Sequence, residues 1–486
     1  MQNAAMHRSA SAPAASGSRL AGVEGLRGLA ATSILVYHCW RYGTPGGARV
    51  DLGLLSRFAL PHLPVGVTLF FTLSGFLLYR PLAAAALRDS SGPGLRVYLR
   101  NRALRILPAY WTILLVTAVL VPAALVQRSA GTVELGRLVQ QPGVLLANLT
   151  FTQNYLPGAL DTGIGPAWSL AVELVFYLVL PGLGWLAAAC ARRTPTRSRR
   201  TWAALVPAVL LLLVGLAGKA LASFVVPSSN GYWYAMLVRS FLYHADLFGF
   251  GMVLGVLRVN LEDGELRLPA WWRRMTVAAL GLVVLAIALL ADRGLLPAWG
   301  VLNPYQRLTS LACALLLALV VLPGPEPARP SPLVRLLETR PFVAVGLVSY
   351  SLFLWHEPVV RWLEGHRLTM GGASGFWVNL VLLGVVAGGL SALTYRYVER
   401  PALSRKARSR AARGPSGSGQ GAATPSAEAK GQPAPPGQAG QTAGVPFTTA
   451  VGGARRPLAP TSPGRPPSRA DAAGRPAAER NHATGP

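Results

Sequence analysis

About ten stretches of roughly twenty mostly apolar residues, separated by connections rich in arginine, constrain this chain more than any other feature of its sequence. A run of that length crosses a hydrocarbon core of about 30 Å as an α-helix, because in lipid every backbone N–H and C=O needs a partner within the segment. The runs fall at roughly 24–42, 65–87, 106–127, 166–189, 202–226, 235–258, 274–291, 305–323, 342–363 and 375–398. The expectation is an all-α polytopic membrane protein of about ten transmembrane helices. Of the 486 residues, 52% are hydrophobic and only 13% charged, against about 25% charged in soluble domains.

The formal net charge of +27 would suit a nucleic-acid binder, but its distribution excludes that reading. Segment 88–105 holds Arg88, Arg96, Arg100, Arg102 and Arg105 against Asp89 alone, and segment 190–201 holds Arg192, Arg193, Arg197, Arg199 and Arg200 with no acid. Arg405, Lys406, Arg408 and Arg410 follow the last run. The alternate connections are balanced or uncharged: 128–165 sets Arg128 and Arg137 against Glu134 and Asp161, and 227–234 carries no charge. This is the positive-inside pattern of a membrane protein with an even number of spans and both ends in the cytoplasm. The lipid bilayer is therefore a partner and nucleic acid is not; no nucleic-acid motif is present.

Three segments follow. Residues 1–20 are expected to be a flexible N-terminus, with the first apolar run retained, since it exceeds a signal h-region. Residues 21–403 form the transmembrane domain. Residues 404–486, dominated by Pro, Gly and Ala, are expected to be a disordered cytoplasmic tail without a second catalytic module. Cys39, Cys190 and Cys313 have neither disulfide nor metal spacing, and no metal is expected. Asn148-Leu149-Thr150 fits a glycosylation triplet. The 128–165 connection is long enough to contribute a binding surface.

An ionisable side chain in a span costs about 2.5–3.5 kcal/mol on insertion scales, so each needs a reason. Glu24 and Arg27 are three apart and share a face. Arg27 and His38, eleven apart, return to within about 20° of one stripe, about 16 Å apart along the axis. A snorkelling arginine and a carbonyl-bonded histidine are the structural alternatives. Ser74-Gly75 reads either as a close-packing site or as a hydroxyl lining a tunnel. Arg102 and Arg105 share a face at the inner mouth, either as topology signals that bind lipid phosphate or as a clamp for a donor's phosphates. Trp168 begins the fourth run, where Ser169, Glu173 and Tyr177 follow four-residue spacing; a helix-anchoring salt bridge is the structural reading of Glu173. His244 and Asp246 lie in the sixth run. Ser349 and His356, seven apart, lie on nearly one face of the ninth. The alternating topology places His38 and His356 at similar depth and brings Glu173 towards them.

Taken together, these segments resemble the membrane acyltransferase-3 family, which includes bacterial O-antigen and other carbohydrate O-acetylases. The resemblance is carried, in order, by Gly25-Leu26-Arg27-Gly28 with ten residues between Arg27 and His38, Phe70-Phe71 with Leu73-Ser74-Gly75-Phe76, and Arg102-x-x-Arg105-Ile106-x-Pro108-x-Tyr110. Trp168-Ser169-Leu170-x-x-Glu173-x-x-Phe176-Tyr177, Ser349-Tyr350 through His356, and Glu399-Arg400-Pro401 complete it. Three positions depart: Glu24 where the family has Asp, Leu174 where many members have a second Glu, and His244 where many have Arg.

The resemblance implies an integral inner-membrane O-acyltransferase. No cofactor is permanently bound; cytosolic acyl-CoA, by default acetyl-CoA, is the donor substrate, and a hydroxyl of a carbohydrate or glycosylated molecule is the acceptor. Arg102, Arg105 and Ser74 would hold the donor. His38 would act as general base, assisted by Glu173, with Arg27 or a buried hydroxyl facing the oxyanion. Glu24, Trp168, Ser169, Tyr177, Asp246, Ser349 and His356 would line or support the site. No Gly-x-Ser-x-Gly elbow is present, which argues against a serine hydrolase. A glycolipid transporter with a His/Glu/Arg pathway is the rival reading; it lacks an inverted repeat to support it. A sensor or scaffold leaves the intramembrane His and Glu unexplained.

Overall fold

The computed structural model describes residues 20–129, 132–226, 231–293, 304–324 and 330–404. The expected N-terminus up to residue 19 and the tail from 405 onward lie outside the described residues. Ten principal helices follow in order: α1 Val23–Tyr42, α2 Val65–Leu87, α3 Leu95–Leu115, α4 Ala167–Arg192, α5 Arg197–Phe224, α6 Phe241–Glu262, α7 Trp272–Asp292, α8 Pro304–Val321, α9 Arg340–Gly365 and α10 Gly372–Thr394. Eight helical segments among the described residues are long and apolar enough to cross a membrane. The other two of the ten, α1 and α8, fall short for different reasons. Glu24, Arg27 and His38 lower the apolarity of α1, and α8 is short.

Glycine sets which helices approach most closely. A Cβ at Gly75 on α2 would collide with the backbone oxygen of Phe248 on α6, and one at Gly251 on α6 with that of Thr72. Gly346 on α9 meets Glu24 O of α1 in the same way. Small residues let backbones pack in lipid, where apolar side chains gain little by leaving the hydrocarbon. α6 and α9 are consequently central, whereas α7 is almost wholly on the outside. Leu213, Trp185, Leu282 and Val385 are among the exposed large apolar side chains, as a lipid-facing belt requires.

The third run is corrected. Its helix begins at Leu95 and continues through a π-turn to Leu120, rather than covering 106–127. Its early start is possible because Arg102 and Arg105 face an interior chamber instead of lipid. It stops because Val121, preceding Pro122, is extended, the conformation that proline imposes on its predecessor. The chain then forms strand β1, Ala124–Ser129, paired antiparallel with β2, Thr132–Gly136. Leu125 also exchanges backbone hydrogen bonds with Gly163, which ties the hairpin across the mouth of the bundle. The glycosylation triplet is structural: Asn148 is buried, and its amide donates to Val144 O and Thr162 Oγ1, each at 3.0 Å.

Candidate functional site

Two chambers open from opposite ends of the bundle. The inner one, of about 80 Å³, is lined by Arg27, Ser74, Arg102, Arg105, Glu173 and Tyr177, with Ser169, Ser349 and apolar residues of α2 and α9. Its polar groups are organised around Glu173. Ser74 donates its hydroxyl to Glu173 Oε1, and Tyr177 does so at 2.6 Å, as the four-residue spacing on α4 allows. Gly75 packs and Ser74 lines the chamber, so the Ser-Gly pair fills both roles. Arg27 donates from Nε to Ser349 Oγ at 3.4 Å and lies 3.9 Å from Glu24. Arg102 stands 5.8 Å from the Tyr177 ring centre, and its buried Nε has no hydrogen-bond partner among the described residues. Three guanidiniums against one carboxylate make this lining cationic. Ser169 also donates its hydroxyl to Pro166 O at 2.9 Å, at the start of its own helix.

The outer chamber, of about 370 Å³, is lined by His38, Tyr42, Trp168, Glu357, Arg361 and the Asp161–Arg239 pair, and is overhung by Leu125 and Val133 of the hairpin. His38 and His356 stack 4.8 Å apart, with Nδ1 of the first 2.7 Å from Nε2 of the second. His356 Nδ1 lies 3.1 Å from Leu352 O. A carbonyl only accepts, so His356 Nδ1 carries the proton. In the neutral ring its Nε2 then accepts, and His38 Nδ1 must donate. His38 Nε2 is left with a lone pair and no protein hydrogen bond among the described residues. Glu357 Oε2 lies 3.7 Å from His38 Nδ1, while its Oε1 accepts from Arg361 Nε at 2.6 Å. The Arg361 guanidinium lies 3.7 Å from the centre of the Tyr42 ring.

Aromatic rings separate the chambers. Phe70, Phe71 and Phe353 line the inner one. Phe71 meets Trp168 edge-on at 6.5 Å, and Phe353 lies 5.8 Å from His356. This separation corrects one expectation: Glu173 does not descend to His38, and the carboxylate beside His38 is Glu357. Arg27 faces the inner chamber, in keeping with the eleven helical residues that carry His38 about 16 Å further along α1.

Asp246 lines neither chamber. It accepts from Lys219 Nζ of α5 at 2.5 Å, while the same ammonium donates to Tyr243 O at 2.7 Å, so it locks α5 to α6. Glu24 also lines neither chamber. His244 bonds Val238 O at 2.9 Å and sits against Phe71 and Trp168, which makes it part of the aromatic packing. Sequence reasoning missed Glu357, Arg361, Lys219 and the burial of Glu399, which accepts the Ser351 hydroxyl. The rule that singled out Glu173, a charge within an apolar run, applies equally to Lys219 and Glu357. Among the described residues, no three His, Cys, Asp or Glu side chains gather as a metal site would require.

These features define a polytopic helical membrane protein with two polar chambers and aromatic rings between them. The family profile described as an acyltransferase domain, of the acyltransferase-3 type, matches residues 20–396, and the chain belongs to that family. It is 26% identical over 405 residues to YrhL of Bacillus subtilis, named for peptidoglycan O-acetylation, with 80% of this chain and 55% of the relative covered. It is 21% identical over 389 residues to the O-acetyltransferase OatA of Staphylococcus aureus, with 79% of this chain and 57% of the relative covered. The chain thus spans just over half the length of the curated relatives it matches. No solved structure matches it significantly.

Proposed function

We propose that the protein is an inner-membrane O-acyltransferase that moves an acyl group, by default acetyl, from cytosolic acyl-CoA to a carbohydrate hydroxyl presented on the opposite face. The single observation that carries this reading is the hydrogen-bond relay from Leu352 O through His356 to His38, because it leaves a basic nitrogen on the outer chamber. Family membership supports group transfer, and the cationic inner lining supports a phosphate-bearing donor. The connections at the inner end carry Arg88, Arg96, Arg192, Arg199, Arg267 and Arg274, and this basic excess supports a cytoplasmic orientation for that face. The N-terminal end of α1 and the C-terminal end of α10 lie on the same side.

In this mechanism Arg102 and Arg105 hold the donor's phosphates through charge-assisted hydrogen bonds. The acyl end passes Ser74 and reaches the aromatic rings between the chambers. His38 Nε2 takes the proton from the acceptor hydroxyl as its oxygen attacks the thioester carbon. The C–O bond forms, the C–S bond breaks, and the CoA thiolate leaves and is protonated. Glu357 and His356 lie against the developing imidazolium. The names of the relatives make cell-wall glycan one acceptor class to offer.

The test is transfer from radiolabelled acetyl-CoA by the full chain in nanodiscs, offered a panel of glycans, with native protein compared with His38→Ala. Label reaching a glycan only when His38 is present is the expected result. Label retained on the protein without acceptor would identify a covalent intermediate rather than direct transfer. Folded protein that binds and cleaves no acyl-CoA, yet moves a glycolipid unchanged across the bilayer, would refute the enzyme reading.

A further inference from the structure

A further cavity, of about 490 Å³, lies at the basic end of the bundle, between α2, α3, α4 and the connection that joins α2 to α3. It shares no lining residue with either chamber. α4 supplies one wall: Pro181, Gly184, Trp185, Ala188 and Arg192 recur at three- and four-residue spacing and so share a face. Leu82 and Ala85 of α2 face that wall, and Ser90 and Ser91 of the connection join Leu95 and Tyr98 of α3 beside them. Gly184 lets the two walls meet at their edge, because a Cβ there would lie 2.9 Å from Leu82 Cδ1.

We propose that this cavity binds one anionic phospholipid from the leaflet at the basic end, its phosphate at Arg192 and the start of an acyl chain running along α4 towards Pro181. Three observations support this. The lining changes character along its length, from Arg192, Ser90 and Ser91 at one end to Leu82, Ala85 and Pro181. Arg192 and Pro181 are eleven residues apart, about 16 Å along the helix, which spans a headgroup layer of about 5–8 Å and about 10 Å of hydrocarbon. Arg192 is exposed and makes no ion pair or side-chain hydrogen bond among the described residues, whereas Arg88, Arg197 and Arg200 are paired with Asp263 or Asp89. Trp185 forms part of the wall and is also exposed on the surface of α4, so the cavity opens sideways into the bilayer, at the interfacial depth that tryptophan favours.

The charge of the lining selects the headgroup. No carboxylate lines the cavity, so Arg192 presents a single uncompensated guanidinium. Phosphatidylglycerol answers it with one net negative charge, whereas the choline of phosphatidylcholine offsets its own phosphate. A soluble polyphosphate finds three guanidiniums in the inner chamber but only this one here, beside walls that are mostly apolar. Tyr98, one turn before Arg102 on α3, ends the cavity short of the inner chamber, so the lipid does not occupy the place given above to the donor.

The experiment uses the full chain in nanodiscs of phosphatidylcholine with a rising fraction of phosphatidylglycerol, and reads the lipid retained by the protein by native mass spectrometry. One phosphatidylglycerol is expected to be retained per chain, in preference to phosphatidylcholine. Arg192→Gln should raise the fraction needed for half-occupancy at least about tenfold, the factor for one charge-assisted hydrogen bond. Arg193→Gln removes an equal charge outside the cavity and should leave that fraction unchanged. Ala188→Phe places a ring in the middle of the lining and should abolish retention of either lipid. Neither CoA nor inorganic phosphate should displace the bound lipid. Equal loss in the two arginine variants would mark a general attraction to the basic face and overturns the proposal. Equal retention of the two lipids, or retention untouched by Arg192→Gln or by folded Ala188→Phe protein, overturns it too. Displacement by CoA or inorganic phosphate assigns the cavity to a soluble phosphate and likewise overturns it. Every arm reads binding without acyl transfer, so failure of the lipid site leaves the transferase reading untouched.

Discussion

Replacing His356 tests the hydrogen-bond relay at its central member. His356→Leu removes the acceptor for His38 Nδ1, which now donates at 2.7 Å, and frees His38 to adopt the tautomer that places its proton on Nε2. As His38 takes the acceptor's proton it becomes cationic, so the lost hydrogen bond is charge-assisted in the transition state. Such bonds contribute about 1.5–3 kcal/mol, which corresponds to a loss of about ten- to 150-fold in kcat. His356→Gln keeps an acceptor oxygen at that place and should retain activity to within about tenfold of native. The assay is initial acetyl transfer at saturating donor, with the KM for acetyl-CoA measured alongside and expected to stay near native, because Arg102 and Arg105 occupy the other chamber. Native-like activity in His356→Leu, or equal inactivity in both variants when both are folded, would refute the reasoning. If Glu357, 3.7 Å from the same nitrogen, is the operative partner, the loss appears in Glu357→Gln instead.

Other outcomes follow from the same structure. Arg102→Ala and Arg105→Ala should each raise the KM for acetyl-CoA by about ten- to 100-fold, measured by initial rates, but should leave reaction with a phosphate-free acetyl thioester unchanged. Gly75→Ala should destabilise the α2–α6 contact by about 1–3 kcal/mol, read as a lower unfolding temperature in detergent; Gly94→Ala, with no atom within 4 Å of the added Cβ, is the neutral control. Asp263 joins the inner connections by pairing with Arg88 at 2.7 Å and Arg197 at 2.5 Å. Burial raises its pKa, but the two arginine hydrogen bonds and charges outweigh this and hold it below the usual carboxylate value. Its stabilisation is therefore present above the unfolded-state pKa and lost as pH falls through the folded one. Asp263→Asn should abolish that acid-side dependence of the unfolding temperature and cost about 1 kcal/mol or less at neutral pH.

Much of the fold was legible in the sequence because a membrane leaves a segment few choices. Apolar length is a local property, and it located the eight helical segments long and apolar enough to cross a membrane among the described residues. Four-residue spacing likewise placed the Tyr177 hydroxyl on Glu173, since both belong to one helix. The end of the third run was legible only in part. Val121 before Pro122 marks a stop, but apolar content alone does not separate the last helical turn from the β1 strand that follows.

Contacts between helices were decided by tertiary structure alone. His38 and His356 lie 318 positions apart, and their hydrogen bond depends on α9 packing against α1. Glu173 was expected beside His38, yet the aromatic rings of α2 and α9 leave it in the inner chamber and put Glu357 in its place. Lys219 and Asp246 find each other only because α5 and α6 pack closely. Sequence periodicity states which face of a helix a side chain occupies. Which neighbour that face meets depends on rotation and depth, and these are set by the packing of all ten helices together. For this protein, the apolar runs and the placement of arginine by themselves determined a polytopic membrane bundle with a basic face, and tertiary packing decided that its ionisable groups divide between two chambers.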